Sequence, residues 1–257
     1  MARFKSAACY AQFSREVRLQ RRYVRTADAD DFLRAVALTC RSRIKECPAG
    51  KIFWRAQLGN GWETQEDGDR SAPICYQPSR MKPLPNSANE GRANPKGIPY
   101  LYLSTTAKAA MSEVRPWVGS LISVARFATL RPLKIVDCSV LHGQYYKLLL
   151  GGRPIDQKLH DEQIDDVVWA AIDRAFSEPV TKNDDSADYA PTQTIAELFC
   201  HEGYDGIAYK SAFGEDAYTM ALFNLESAEQ LDGQLYTARQ LDFMFEQEGN
   251  PYFVRRK

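Results

Sequence analysis

The chain has 257 residues, and its 33 lysines and arginines balance 33 aspartates and glutamates, so it lacks the basic excess of a protein that grips duplex nucleic acid over a broad face. A hydrophobic fraction of 44 % supports a sizeable core, as one large domain or two small ones, and excludes a disordered chain. No apolar run approaches the ~18 residues of a membrane span and none opens the chain as a secretion leader would, so a soluble, cytoplasmic protein with no membrane partner is expected.

Residues 1–25 read as basic and moderately helical, with Arg15, Arg18, Arg21, Arg22 and Arg25 on a solvated face or in a local basic patch. A helix is predicted over 28–46: Asp28, Asp30 and Asp31 suit its positive N-terminal end, and Phe32, Leu33, Val36, Ala37, Cys40 and Ile44 recur at helical spacing. Lys51 to Leu58 reads as a strand carrying Arg55. Residues 59–98, rich in Gly, Pro, Asn and Asp, read as a long surface segment ending in the turn Gly91-Arg92. Tyr100 to Ser104 is a strand, and Thr105 or Thr106 caps a short helix that Pro116 ends. Strands over 121–127 and 133–138 follow, then an irregular stretch to 160 and a helix over 161–176 with Ile164, Val167, Val168, Ala171, Ile172 and Ala175 on its apolar face. After a polar loop, Pro191 opens a helix running to about His201 and closed by Gly203. Residues 205–210 and 217–224 form two strands around a turn, and a short strand lies near Gln234-Leu235-Tyr236. This order lacks regular strand–helix alternation and predicts an α+β fold with a mainly antiparallel or mixed sheet.

The cysteines Cys9, Cys40, Cys47, Cys75, Cys138 and Cys200 form no CxxC pair. His142, His160 and His201 do not stand at zinc-ligand spacing from them, so no metal site is expected and the thiols read as buried apolar groups.

Three separated segments carry the chemistry. Phe53-Trp54-Arg55-Ala56 sets a guanidinium in an apolar strand. Leu101-Tyr102-Leu103-Ser104 runs on to Ser112-Glu113-Val114-Arg115. Gly206-Ile207-Ala208-Tyr209-Lys210-Ser211 ends on a hydroxyl. Together they furnish a planar donor fork for phosphate, a stacking face, and a carboxylate able to hold a ribose hydroxyl or stabilise positive charge on a sugar: a pocket for a pyrophosphate-linked dinucleotide. Each residue also has a plainer reading. Glu113 could lie on the surface. Arg55 could sit in a salt bridge with Asp205 or Glu197. Tyr102 could simply pack, with Tyr100 on the same strand face, and Ser211 could be a turn residue. With no histidine in these segments to activate Ser211, a serine-hydrolase reading is weak.

The same segments, with Gly91-Arg92-Ala93-Asn94-Pro95 and Ala221-Leu222-Phe223, resemble the RES-domain family over roughly residues 50–225, by their order rather than by any single motif. The resemblance implies an ADP-ribosyltransferase-like fold, a split mixed sheet with an NAD cleft between its halves and helices around it. The RES domain would occupy residues 50–257, with 1–49 as a helical N-terminal extension. It implies an NAD-consuming enzyme, a glycohydrolase or phosphorylase using water or inorganic phosphate as acceptor, with NAD as substrate and no cofactor. It also implies the toxin of a toxin–antitoxin pair, bound by an Xre-type helix-turn-helix antitoxin and prone to self-association. Glu113 would be the catalytic carboxylate, Arg55 a phosphate or ribose clamp and Tyr102 the ring stacked on nicotinamide. Ser211 would orient substrate, and Arg92 and Tyr100 would be secondary contacts; Tyr189 and Gln193 also resemble family positions. The family position matching Ala93 is usually aromatic, which removes a stacking group here. An ADP-ribosyltransferase acting on a protein or nucleic acid shares this pocket, although Met111 stands two residues before Glu113 where such transferases often carry an acidic residue or glutamine. A non-enzymatic nucleotide-binding or interaction module is the remaining reading.

Overall fold

The computed structural model of the protein describes residues 3–64, 71–84, 87–151, 159–178, 186–242, 244, 245 and 249. Helices α1 (Cys9–Leu19) and α2 (Ala27–Thr39) lead through a tight turn, Cys40–Arg43, into strands β1 (Ile44–Cys47) and β2 (Ile52–Leu58). A hairpin of β3 (Gly61–Thr64) and β4 (Ser71–Ile74) and one helical turn, α3 (Pro78–Met81), precede β5 (Leu101–Ser104) and α4 (Ala107–Glu113). Then come β6 (Leu121–Thr129), β7 (Leu133–Asp137), α5 (Tyr145–Leu150), α6 (Asp161–Ser177), α7 (Ala190–His201), β8 (Gly206–Lys210), β9 (Tyr218–Leu222) and β10 (Ala228–Thr237).

Among the described residues the main sheet has eight strands in the order β1-β7-β8-β9-β5-β2-β6-β10, and β3 pairs only with β4. The β7–β8 pair is parallel and the others antiparallel, so the sheet is mixed. Side chains alternate across it, as a period of two requires. Leu101 and Leu103, Leu133 and Ile135, and Met220 and Leu222 share one core with Phe53 and Phe127. Val136, Ile207, Tyr209 and Ala221 face the other way, into a larger core built with Phe32, Val168, Trp169, Ile195 and Phe199 from the helices. Helices α1 and α2 belong to this second core through Phe13, Val17, Leu33 and Val36.

The sheet is split. β2 and β5 are neighbours through a single residue pair, Trp54 with Ser104, whereas β2 runs beside β6 from Ile52 to Leu58. The two halves, β1-β7-β8-β9-β5 and β2-β6-β10, therefore diverge from one point of contact. This is the α+β architecture with a mixed sheet expected from the element order, and its split is the one the family resemblance implies.

Several elements differ from expectation. The helix expected over 28–46 stops at Thr39, and Ile44–Cys47 instead forms the outer strand against β7. Its start is set by Thr26, whose hydroxyl accepts from the Ala29 N–H. The surface segment 59–98 contains the β3–β4 hairpin, the irregular stretch after 138 contains α5, and the short strand near 234–236 is the ten-residue β10. No described helix is long and apolar enough to cross a membrane.

Candidate functional site

A cleft of about 650 Å³ opens where the sheet splits, within the usual range for small-molecule sites. Arg55 from β2, Tyr102 from β5, Tyr100 just before it, Glu113 from α4, Tyr209 from β8 and Arg92 from the preceding loop all line it. Ser211, at the end of β8, reaches it through Glu113.

Glu113 is placed by a short, well-defined helix. Thr106 caps α4 by accepting from the Ala109 N–H at 3.2 Å, and Ala110, Met111 and Val114 pack on Ala56, Ile122 and Val124 of β2 and β6. That packing turns Met111 towards the apolar cluster while Glu113 faces the cleft. The chain leaves the helix through Arg115, the single non-glycine with positive φ (49°) among the described residues, and Pro116 prevents continuation.

The carboxylate is held from the other half of the wall. Ser211 Oγ lies 2.8 Å and Thr219 Oγ1 3.2 Å from Oε1 of Glu113. The backbone N–H of Phe213 donates to Ser211 Oγ at 3.2 Å, so the serine proton is directed at Glu113. Ser211 and Thr219 are each only 5 % exposed, which keeps competing water away from these bonds.

Among the described residues Arg55 has no carboxylate partner. Its Nε donates to the Met81 carbonyl at 2.7 Å and its Nη1 to the Tyr102 carbonyl at 3.0 Å, which carries the side chain from β2 across to β5. The expected alternative partner Asp205 is engaged by Arg131 and the Lys134 N–H instead. Burial pulls the guanidinium down to about 10, still charged at neutral pH. A guanidinium has five N–H donors, so those beyond the two carbonyl bonds remain for an anion in the cleft.

Tyr102 lies on the opposite sheet face from Leu101 and Leu103, as its alternation requires. Its hydroxyl is committed: it donates to Asn94 Oδ1 at 2.7 Å and accepts from the Ala93 N–H at 3.0 Å. Burial pushes this phenol and that of Tyr209 above the usual tyrosine range. Tyr100 packs on Phe223, with ring centroids 4.9 Å apart, and burial raises it too. Arg92 Nη1 donates to the Ala175 carbonyl at 3.3 Å. Ala93 is wholly buried in the larger core, so its side chain points away from the cleft.

Thr219 was not legible in the sequence as part of this site, whereas Asn94 and Gln193 stand at positions that resemble the family and are shown here in the bonds they make. Asn94 Nδ2 donates to the carbonyls of Asn89, Pro95 and Ile98, shaping the loop at the cleft edge. Gln193 Nε2, from α7, donates to the carbonyls of Gly91 and Asn94. Thr219 contacts Glu113 from β9, where its sequence context shows only a strand former. Among the described residues no three histidines, cysteines, aspartates or glutamates gather as a metal would require.

A family model described as the RES domain matches residues 52–245. Among solved structures, the chain is similar to one chain of the crystal structure of the M. tuberculosis MbcT–MbcA toxin–antitoxin complex, with 14 % identity, a TM-score of 0.40, and coverage of 79 % of this chain and 92 % of that one. No curated protein matches the chain.

Proposed function

The chain belongs to the RES-domain family, and from that premise we propose that it is an NAD-consuming enzyme that breaks the bond between nicotinamide and ribose. The observation that carries the reading is the carboxylate of Glu113, fixed by two hydroxyls in a cleft that also holds a half-buried, charged arginine without an acidic partner among the described residues. A dinucleotide diphosphate is the anion that such a guanidinium suits. With the diphosphate at Arg55, the nicotinamide riboside extends towards Glu113, and the rings of Tyr102 and Tyr209 supply apolar wall.

Cleavage moves the electron pair of the C1′–N bond onto the pyridinium nitrogen, which leaves as neutral nicotinamide. Positive charge develops on the ribose, and the Glu113 carboxylate stabilises it. Because the leaving group is already cationic, no general acid is needed, unlike the two-carboxylate scheme of ordinary glycosidases. An acceptor oxygen from water or inorganic phosphate then bonds to C1′. Hydrolysis yields ADP-ribose and a proton; phosphorolysis yields phosphorylated ADP-ribose. The turning of Met111 into the apolar cluster favours these small acceptors over a protein acceptor, since it leaves no polar side chain at that position to engage one. The family resemblance extends the proposal to a cytoplasmic toxin neutralised by an Xre-type helix-turn-helix antitoxin.

The test incubates purified protein with NAD, with and without inorganic phosphate, and identifies the products. Nicotinamide must appear, and Glu113→Gln, nearly isosteric, must lower turnover at least about a hundredfold while keeping the fold. Intact NAD under both conditions, or a folded Glu113→Gln of wild-type activity, would overturn the reading.

A further inference from the structure

We propose that Thr219 is a positioning residue of this site: with Ser211 it ties down one oxygen of Glu113, so that the carboxylate is already oriented when the ribose arrives. The inference rests on the reading of Glu113 given above and adds a residue that acts through it.

The argument starts from proton directions. An ionised carboxylate only accepts hydrogen bonds, and a hydroxyl has one proton to give. Ser211 Oγ already accepts from Phe213 N–H, and its proton goes to Oε1 of Glu113. Thr219 Oγ1 reaches the same oxygen from a different strand. Two donors converging on one oxygen fix both the position of the carboxylate and the rotation of its plane, which a single donor does not.

The two hydroxyls differ in stiffness. Ser211 follows Lys210, the last residue of β8, and leads into the turn 212–216. Thr219 lies inside β9, paired with Ser104 of β5 on one side and Tyr209 of β8 on the other. A β-branched side chain in a strand has restricted χ1 freedom, so its hydroxyl is set by the sheet itself. Glu113 ends a helix of only seven residues, and its own chain offers little to hold a long side chain still. Thr219 thereby couples the carboxylate to β9, a strand paired on both sides in the five-stranded half of the split sheet. A group prearranged for developing charge is worth more than one that must reorganise during the reaction.

The test compares Thr219→Val, which keeps the shape and removes the hydroxyl, with Thr219→Ser, which keeps the hydroxyl. Thr219→Val should lower kcat about tenfold, the scale of one hydrogen bond to a charged group, with KM for NAD unchanged. Thr219→Ser should restore most of it. In a Glu113→Gln background Thr219→Val should cost nothing further, because the two changes act on one unit. A wild-type kcat in folded Thr219→Val, or a Thr219→Ser as impaired as Thr219→Val, overturns the proposal. Crystal structures of the wild type and both variants give a readout that needs no turnover: the Glu113 carboxylate should hold one position in wild type and Thr219→Ser and several in Thr219→Val. An inert wild type would defeat the NAD reading while leaving this comparison decisive, and an unmoved carboxylate in Thr219→Val defeats the role of Thr219 whatever the activity.

Discussion

Replacing Tyr102 with phenylalanine separates the two uses of that side chain. The ring stays available to stack on a ligand, but the hydroxyl that bonds Asn94 and the Ala93 N–H is lost. Ala93 is fully buried and Asn94 is 2 % exposed, so no water replaces the missing oxygen. One buried N–H and one side-chain carbonyl are left short of a partner, at a cost of about 3 kcal/mol. For a chain of this length each kcal/mol moves the thermal midpoint by about 2–4 °C, so Tyr102→Phe should melt about 6–12 °C below wild type. Scanning calorimetry measures that shift, and amide exchange at Ala93 should accelerate with it. Turnover at a temperature where the variant is folded should stay within about threefold of wild type, since the ring is intact, whereas Tyr102→Leu should lose both stability and turnover. A melting temperature within about 1 °C of wild type, with Ala93 still protected, would refute the hydroxyl as the clamp of this loop.

Other substitutions test neighbouring parts of the argument. A Cβ at Gly91 would sit 2.7 Å from the Tyr102 hydroxyl and 2.9 Å from Asn94 Oδ1; Gly91→Ala should therefore destabilise the protein, and cost less in the Tyr102→Phe background, where the Asn94 contact remains but the hydroxyl is gone, which denaturant titration would show. Arg55→Ala strips the donors from the carbonyls of Met81 and Tyr102, and it should weaken NAD binding at least about tenfold in calorimetric titration while lowering the melting temperature. Unchanged affinity would leave Arg55 with the carbonyl-bridging role alone. Burial pushes the Asp205 carboxyl up, but the Arg131 guanidinium and the Lys134 N–H outweigh it and hold it below the usual value. A carboxyl lowered in the folded state adds stability above its ordinary value of about 4 and loses it as pH falls through the lower native one. The melting difference between wild type and Asp205→Asn should thus be full at neutral pH and shrink below about pH 4; a pH-independent difference would argue against the ion pair.

How much of the fold the sequence reveals depends on where each element finds its partner. β2, β5, β8 and β9 are legible because apolar side chains recur at a period of two, and α4 because a threonine and a proline bound it. β1 is not: Ile44 continues the helical spacing of Phe32 to Cys40, and the strand's identity comes from pairing with β7, some ninety positions away. β10 hides for another reason. It pairs with β6 along its length, but a bulge between Gln230 and Asp232 breaks its alternation and Asp232 engages Arg126 on an exposed face. The hairpin β3–β4 contains Pro73 and is confined to its own two strands, which is where a sheet tolerates proline.

The site divides the same way. Arg55, Tyr102, Glu113 and Ser211 were singled out as chemical groups, and the cleft brings Arg55, Tyr102 and Glu113 together with Ser211 behind the carboxylate. Thr219 and the Asn94–Gln193 clamp depend on strand register and on contacts across about a hundred residues, which no local pattern encodes. The split of the sheet links the two groups. Where β2 and β5 part, strand carbonyls lose their backbone partners, and a buried carbonyl must find a donor. Arg55 supplies it at Tyr102, which brings a cation with no acidic partner among the described residues to the mouth of the same gap. An apolar strand filler there would leave that carbonyl stranded, and a lysine cannot present donors to two carbonyls in the planar geometry of a guanidinium. The residue that closes the structural defect of a split sheet is thus the one that we propose receives the diphosphate. Glu113, held by the hydroxyls of Ser211 just after β8 and Thr219 on β9, places a carboxylate where a cationic sugar would form.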